Sequence, residues 1–110
     1  MASRVLIVED DPAQRRILEE LVKRFGFDPI AVDGGAKGLD ALRASSGGTI
    51  ELVILDLNMP GMRGAATIAG LRESYPTVPL IVVSGVVAES DMRAVLRAGA
   101  AGYIPKGAMA

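Results

Sequence analysis

Four apolar runs punctuate the chain without alternating polar residues: Val5 to Val8, Leu52 to Leu55, Leu80 to Val83 and the shorter Tyr103-Ile104. Pro29-Ile30-Ala31-Val32 makes a fifth. Such runs predict strands buried on both faces, as in a parallel sheet covered by helices. Between them the period becomes helical. Ile17, Leu18, Leu21, Val22 and Phe25 share one side, with Gln14, Arg15, Arg16, Glu19, Glu20 and Lys23 on the other, and Gly26 ends the segment. Residues 35–44, 65–74 and 89–98 carry the same pattern more weakly, the last with Met92, Val95 and Leu96 before Gly99. The predicted order is β-α-β-α-β-α-β-α-β, which right-handed crossovers turn into one parallel sheet with helices on both faces. No repeat, low-complexity tract or linker interrupts it, so residues 1–110 are expected to form one domain. Where a fifth helix would complete the cover of the sheet, only Gly107-Ala108-Met109-Ala110 follows Lys106.

Composition narrows the chemistry. Half the residues are hydrophobic but only 4% are aromatic, so the core must come from Val, Ile, Leu and Ala. With 12 Lys and Arg against 13 Asp and Glu, no global field draws the chain to nucleic acid or to a membrane surface. The absence of Cys and His rules out disulfides and removes the usual ligands of zinc, copper and haem, leaving hard, oxygen-bound cations. No run approaches the ~20 apolar residues of a membrane span, and no secretory signal opens the chain, so a cytoplasmic location is expected.

The polar residues gather where the strands end. Val8 hands over to Glu9-Asp10-Asp11, Leu55 to Asp56, Val83 to Ser84, and Ile104-Pro105 to Lys106. In open parallel sheets the ligand crevice lies outside those carboxyl ends. Pro12 marks a first helical position, which makes Asp11 the N-cap and leaves Glu9 and Asp10 for the site. Were Glu9, Asp10 and Asp56 to converge, their formal charge of -3 would be only partly offset by Lys106. A divalent cation would complete the balance. Magnesium suits a few carboxylates plus phosphate oxygens, whereas the EF-hand spacing of calcium sites is absent. A carboxylate beside Mg²⁺ and a lysine is a plausible phosphoryl acceptor, and Asp56 is the candidate nucleophile. Asn58-Met59-Pro60-Gly61 reads as a turn after it. Ser84, elsewhere an ordinary turn former before Gly85, would here offer a hydroxyl to a phosphoryl oxygen.

This ordered set resembles the receiver domain of bacterial two-component response regulators: the pair Glu9-Asp10, Asp56 within LDLNMPG, Ser84 and Lys106, spread over essentially the whole chain. The resemblance implies a flavodoxin-like α/β fold, an open five-stranded parallel sheet in the order 2-1-3-4-5. It implies that Asp56 takes a phosphoryl group from a sensor histidine kinase or phosphotransfer protein, without steady turnover. Mg²⁺ would be held by Asp10, Asp56 and the backbone carbonyl of Asn58, with Glu9 acting through water, while Lys106 contacts the phosphoryl group. Ser84 and Tyr103 would be the switch pair that signals to an output domain or partner, with no direct nucleic-acid binding by this domain. Asn58 and Val86 resemble positions that tune hydrolysis of the acyl phosphate.

Three departures stand out. Gly107 follows Lys106 where many relatives have proline, and Gly85 follows Ser84 where many have alanine, both loosening their loops. The fifth helix is missing, so dimerisation through the face it usually supplies is in doubt, and the chain is expected to be the N-terminal piece of a longer regulator with apolar surface open to self-association as a homodimer. A pseudo-receiver that acts only through protein contacts is the main alternative, weighed against by the full acidic set and Lys106. A haloacid-dehalogenase-type phosphatase would need a second aspartate where Asn58 stands. Neither a Walker loop nor GxGxxG follows a strand, which argues against nucleotide binding.

Overall fold

The computed structural model of the chain describes residues 3–45, 49–59, 61, 64–85 and 89–109. Nine elements alternate: β1 (Arg4–Val8), α1 (Pro12–Arg24), β2 (Asp28–Val32), α2 (Gly35–Ala44), β3 (Ile50–Asp56), α3 (Ala65–Ser74), β4 (Leu80–Ser84), α4 (Glu89–Arg97) and β5 (Gly102–Pro105). All strand pairings are parallel and the sheet order is β2-β1-β3-β4-β5, the expected flavodoxin-like arrangement. Among the described residues, β5 is followed by a 3₁₀ turn over Lys106–Met109 and by no fifth helix.

Both faces of the central strands are buried, which is why their sequences do not alternate. Leu6, Val8, Val53, Leu55, Leu80 and Val82 pack with Leu42 of α2, Ile68 of α3 and Val95 of α4 in one cluster. Val5 and Ile7 pack with Leu18 and Val22 of α1 in a second, smaller one. The α1 stripe corrects the sequence expectation: only Leu18 and Val22 are buried, while Ile17, Leu21 and Phe25 are 44%, 41% and 71% exposed. The apolar side of this helix is wider than the strip of sheet beneath it. Ile104 on β5 is also exposed.

Local signals set the helix ends. Asp11 caps α1 as expected, its Oδ1 accepting from the N–H groups of Ala13 and Gln14, with Pro12 in the first turn. At the other end Gly26 adopts φ +86°, and the N–H groups of Gly26 and Phe27 close on the carbonyls of Lys23 and Val22. That six-to-one and five-to-two pair is a Schellman ending, which a left-handed glycine permits.

Gly38 answers a packing need. A Cβ there would stand 2.9 Å from Cγ2 of Val8, a buried side chain whose β-branch cannot swing aside. Gly38→Ala gains up to ~1 kcal/mol of helix propensity but meets an overpacking penalty of about 1–3 kcal/mol. A net loss of about 1 kcal/mol is expected, seen as a lower urea midpoint at unchanged slope.

Candidate functional site

The carboxyl ends of β1, β3, β4 and β5 meet at one rim of the sheet. Glu9 follows β1 and continues its pairing, its N–H donating to the Val32 carbonyl at 3.1 Å. Asp56 and Ser84 are the last residues of β3 and β4, not the first residues of the loops. That position makes both buried, Asp56 at 1% and Ser84 at 5% exposure, and Glu9 is fully buried. Lys106 opens the turn after β5 and is largely covered.

These elements bring Glu9, Asp10, Asp56 and Lys106 together. One carboxylate oxygen from each of the three acids lies within 4.8 Å of the others. Lys106 Nζ stands 3.1 Å from Asp56 Oδ2, to which it donates a hydrogen bond, and 3.0 Å from Glu9 Oε1. The second approach is an ion pair without hydrogen-bond alignment, and Glu9 Oε1 is buried with no hydrogen-bond partner among the described residues. Glu9 Oε2 accepts from the Asp11 N–H at 3.3 Å. Asp56 Oδ1 accepts from the Asn58 N–H at 2.8 Å, so both oxygens of this aspartate are oriented.

Electrostatics follow from this crowding. Burial, reinforced by contact with the Asp56 carboxyl, pushes Glu9 up to about 7, against the opposing pull of Lys106. Burial alone would lower the Lys106 ammonium, but its ion pairs with Glu9 and Asp56 prevail and raise it.

The donor set fits a hard cation. The acidic cluster offers carboxylate oxygens as its side-chain ligands, and Glu9 Oε1, buried and ion-paired with Lys106, accepts no hydrogen bond among the described residues. Three carboxylate oxygens within 4.8 Å of one another suit a shared cation whose oxygen ligands lie ~2.1 Å from the metal, and Asp10 among them is an exposed loop residue.

Two sets of contacts at the rim were not forecast from the sequence. The Asn58 side chain, not only its backbone, belongs to the rim: its Oδ1 accepts from Ser84 Oγ at 2.8 Å and from the Gly85 N–H at 2.7 Å. Arg15, on the polar side of α1, donates from Nη1 to the Glu9 carbonyl at 3.1 Å and braces the acidic loop. An arginine one turn into a helix that follows an acidic loop is the only sequence signal for the second; the first joins residues 26 apart and has none.

Tyr103 is half-buried, pairs in register with Val82 and packs against the larger core cluster, on the same sheet face as that residue. Val86 lies outside the described residues. A groove of about 650 Å³ between α2 and α3, lined by Gly38, Leu39, Leu42, Ala66, Gly70 and Leu71 among others, contains none of these carboxylates and neither Ser84 nor Lys106.

Residues 5–109 match the response regulator receiver domain family. The chain is 36% identical over 106 residues to the response regulator protein FleR of Pseudomonas aeruginosa, which covers 96% of this chain and 22% of that protein. It is 35% identical over 104 residues to the transcriptional regulatory protein CpxR of Escherichia coli, covering 94% of this chain and 43% of CpxR. The chain thus spans from about a fifth to under half of these two relatives. In fold it resembles a response regulator from Thermotoga maritima (TM-score 0.84, 24% identity, 96% of this chain and 86% of that one). It also resembles the BeF3-activated DrrB receiver domain (TM-score 0.79, 20% identity, 96% and 86%).

Proposed function

The chain belongs to the response regulator receiver domain family of two-component systems, and from that premise we propose that Asp56 is its phosphoryl acceptor in a Mg²⁺-dependent reaction. The observation that carries the reading is Lys106 Nζ, 3.1 Å from an Asp56 carboxylate that shares one cluster with Glu9 and Asp10.

In this reading one Asp56 oxygen attacks phosphorus, a new O–P bond forms, and the bond to the donor's leaving group breaks. The Asn58 N–H fixes the carboxylate's rotation before the donor arrives. Lys106 faces the charge that accumulates on the transferring group's oxygens. Asp10, Asp56 and the Asn58 carbonyl would hold Mg²⁺, with Glu9 acting through water. When bound, the ion neutralises phosphoryl oxygens and offsets the acidic cluster. Each chain takes one phosphoryl group and later loses it to water, so the chemistry is stoichiometric rather than turnover catalysis. A sensor histidine kinase or phosphotransfer protein would be the donor in a cytoplasmic setting. Ser84 and Tyr103 would relay the change to an output domain or partner, and association as a homodimer through the exposed apolar residues of α1 and β5 is part of the same proposal. Among the described residues no helix is long and apolar enough to cross a membrane.

Incubation with a small acyl phosphate tests this. One phosphoryl addition by intact mass is expected with Mg²⁺ and none with a chelator; no addition in Mg²⁺ would favour a protein-interaction module that works without phosphate.

The pH dependence has a definite sign. A carboxyl raised to about 7 keeps its proton in the metal-free fold, so that fold loses stability as pH rises from about 4.5 to about 7. Cation binding competes with that proton, because the positive ion favours the ionised carboxylate. Mg²⁺ affinity is therefore expected to fall by up to ~tenfold per pH unit below about 7 and to level off above it. Calorimetric titrations across this range check it, and Glu9→Gln should flatten the profile.

A further inference from the structure

Ser84 carries one hydroxyl proton, and in this structure that proton is committed. It is donated to Asn58 Oδ1 at 2.8 Å, and the neighbouring Gly85 N–H is donated to the same oxygen at 2.7 Å. Asn58 in turn sends its own N–H to Asp56 Oδ1 at 2.8 Å. One asparagine therefore ties the acceptor aspartate, through its backbone, to the hydroxyl and the loop across the crevice, through its side chain. The orientation of the carboxamide is not ambiguous, because two donors converge on one atom and only its oxygen can accept.

We propose that Asn58 is a positioning residue that locks Ser84 and Gly85 in the resting arrangement, so that its carboxamide sets how readily the phosphorylated state is reached. The inference rests on the phosphoacceptor reading of Asp56 and goes beyond it. A hydroxyl that donates to Asn58 cannot at the same moment donate to a phosphoryl oxygen on Asp56. The Asn58–Ser84 bond has to open before the Ser84–phosphoryl bond forms. Gly85, where the exchange would be felt in the backbone, is exposed, and the atoms nearest to an added Cβ there are Asn58 Oδ1 at 3.7 Å and Lys106 Cδ at 3.8 Å, both at ordinary contact distance. Asn58 is itself exposed, so shortening its side chain leaves the buried core unaltered.

The test uses beryllium trifluoride, a phosphoryl mimic, with Mg²⁺ and the full chain. Asn58→Ala removes the lock without touching Ser84. Affinity for the mimic is expected to rise about fivefold, the value of one neutral hydrogen bond no longer broken on binding. Ser84→Ala should weaken binding, and adding Asn58→Ala to it should return much less than the fivefold gain, because the lock no longer has a hydroxyl to hold. In the ligand-free protein the Gly85 amide proton should shift upfield and exchange faster in Asn58→Ala, a signature that a merely structural change elsewhere would not produce. Equal affinity in parent and Asn58→Ala, or the same gain with and without the Ser84 hydroxyl, overturns the lock while leaving the phosphoacceptor reading in place. A parent chain that does not take the mimic in Mg²⁺ overturns both.

Discussion

Asp56→Asn is expected to abolish phosphoryl uptake from an acyl phosphate, with no mass gain at any Mg²⁺ concentration, while the thermal midpoint does not fall. The amide preserves shape and can still accept from the Asn58 N–H that orients the native carboxylate at 2.8 Å. What it loses is the anion. An amide oxygen is a poor nucleophile toward phosphorus, and the acidic cluster gives up one of its three carboxylates. Stability should hold or rise, because the substitution relieves the desolvation of a buried carboxylate while Lys106 keeps its ion pair with Glu9 Oε1 at 3.0 Å. Intact mass and a melting curve on one sample read both halves. Uptake that persists in the variant would move the acceptor to another side chain.

Lys106→Ala should come next in size. Its ammonium lies 3.1 Å from Asp56 Oδ2 and 3.0 Å from Glu9 Oε1, close to the position where a phosphoryl oxygen on Asp56 would carry charge. Removing one preorganised donor from such a place typically costs 10²–10³ in rate, so the rate constant for uptake is expected to fall by about a hundredfold. Lys106→Arg keeps the charge but replaces a compact ammonium with a planar fork, and should recover only part of the loss. A rate in Lys106→Ala within a factor of about three of the parent would show that the ion pair is structural, not part of transfer.

The sequence was legible where a local rule governed the outcome. Pro12 after Asp11 set the start of α1, Gly26 set its end, and the unbroken apolar runs located all five strands to within two residues. The strands reach further than the runs because polar residues at their ends still pair: Asp56 and Ser84 sit inside β3 and β4 opposite Val83 and Pro105. The rim residues could be read because each follows an apolar run, and a parallel sheet turns that sequence position into a shared location. What depended on three dimensions was not legible. Ile17, Leu21 and Phe25 have the spacing of a buried face, yet burial is decided by what lies opposite, and α1 overhangs its strip of sheet. By resemblance Asn58 serves through its backbone carbonyl and stands at a position like those that tune hydrolysis, but its carboxamide bonds to Ser84 and Gly85 are made across the crevice and no local pattern signals them. Arg15 reads as solvated for the same reason, though it reaches back six residues to the Glu9 carbonyl.

The most direct measurement is the chemical location of the phosphoryl group. The chain is incubated with acyl phosphate and Mg²⁺, reduced with borohydride, which converts an aspartyl phosphate to homoserine, and sequenced by mass after proteolysis. The predicted result is homoserine at position 56, absent when the cation is chelated; homoserine at a different aspartate, or an unmodified chain in the presence of Mg²⁺, would contradict the account.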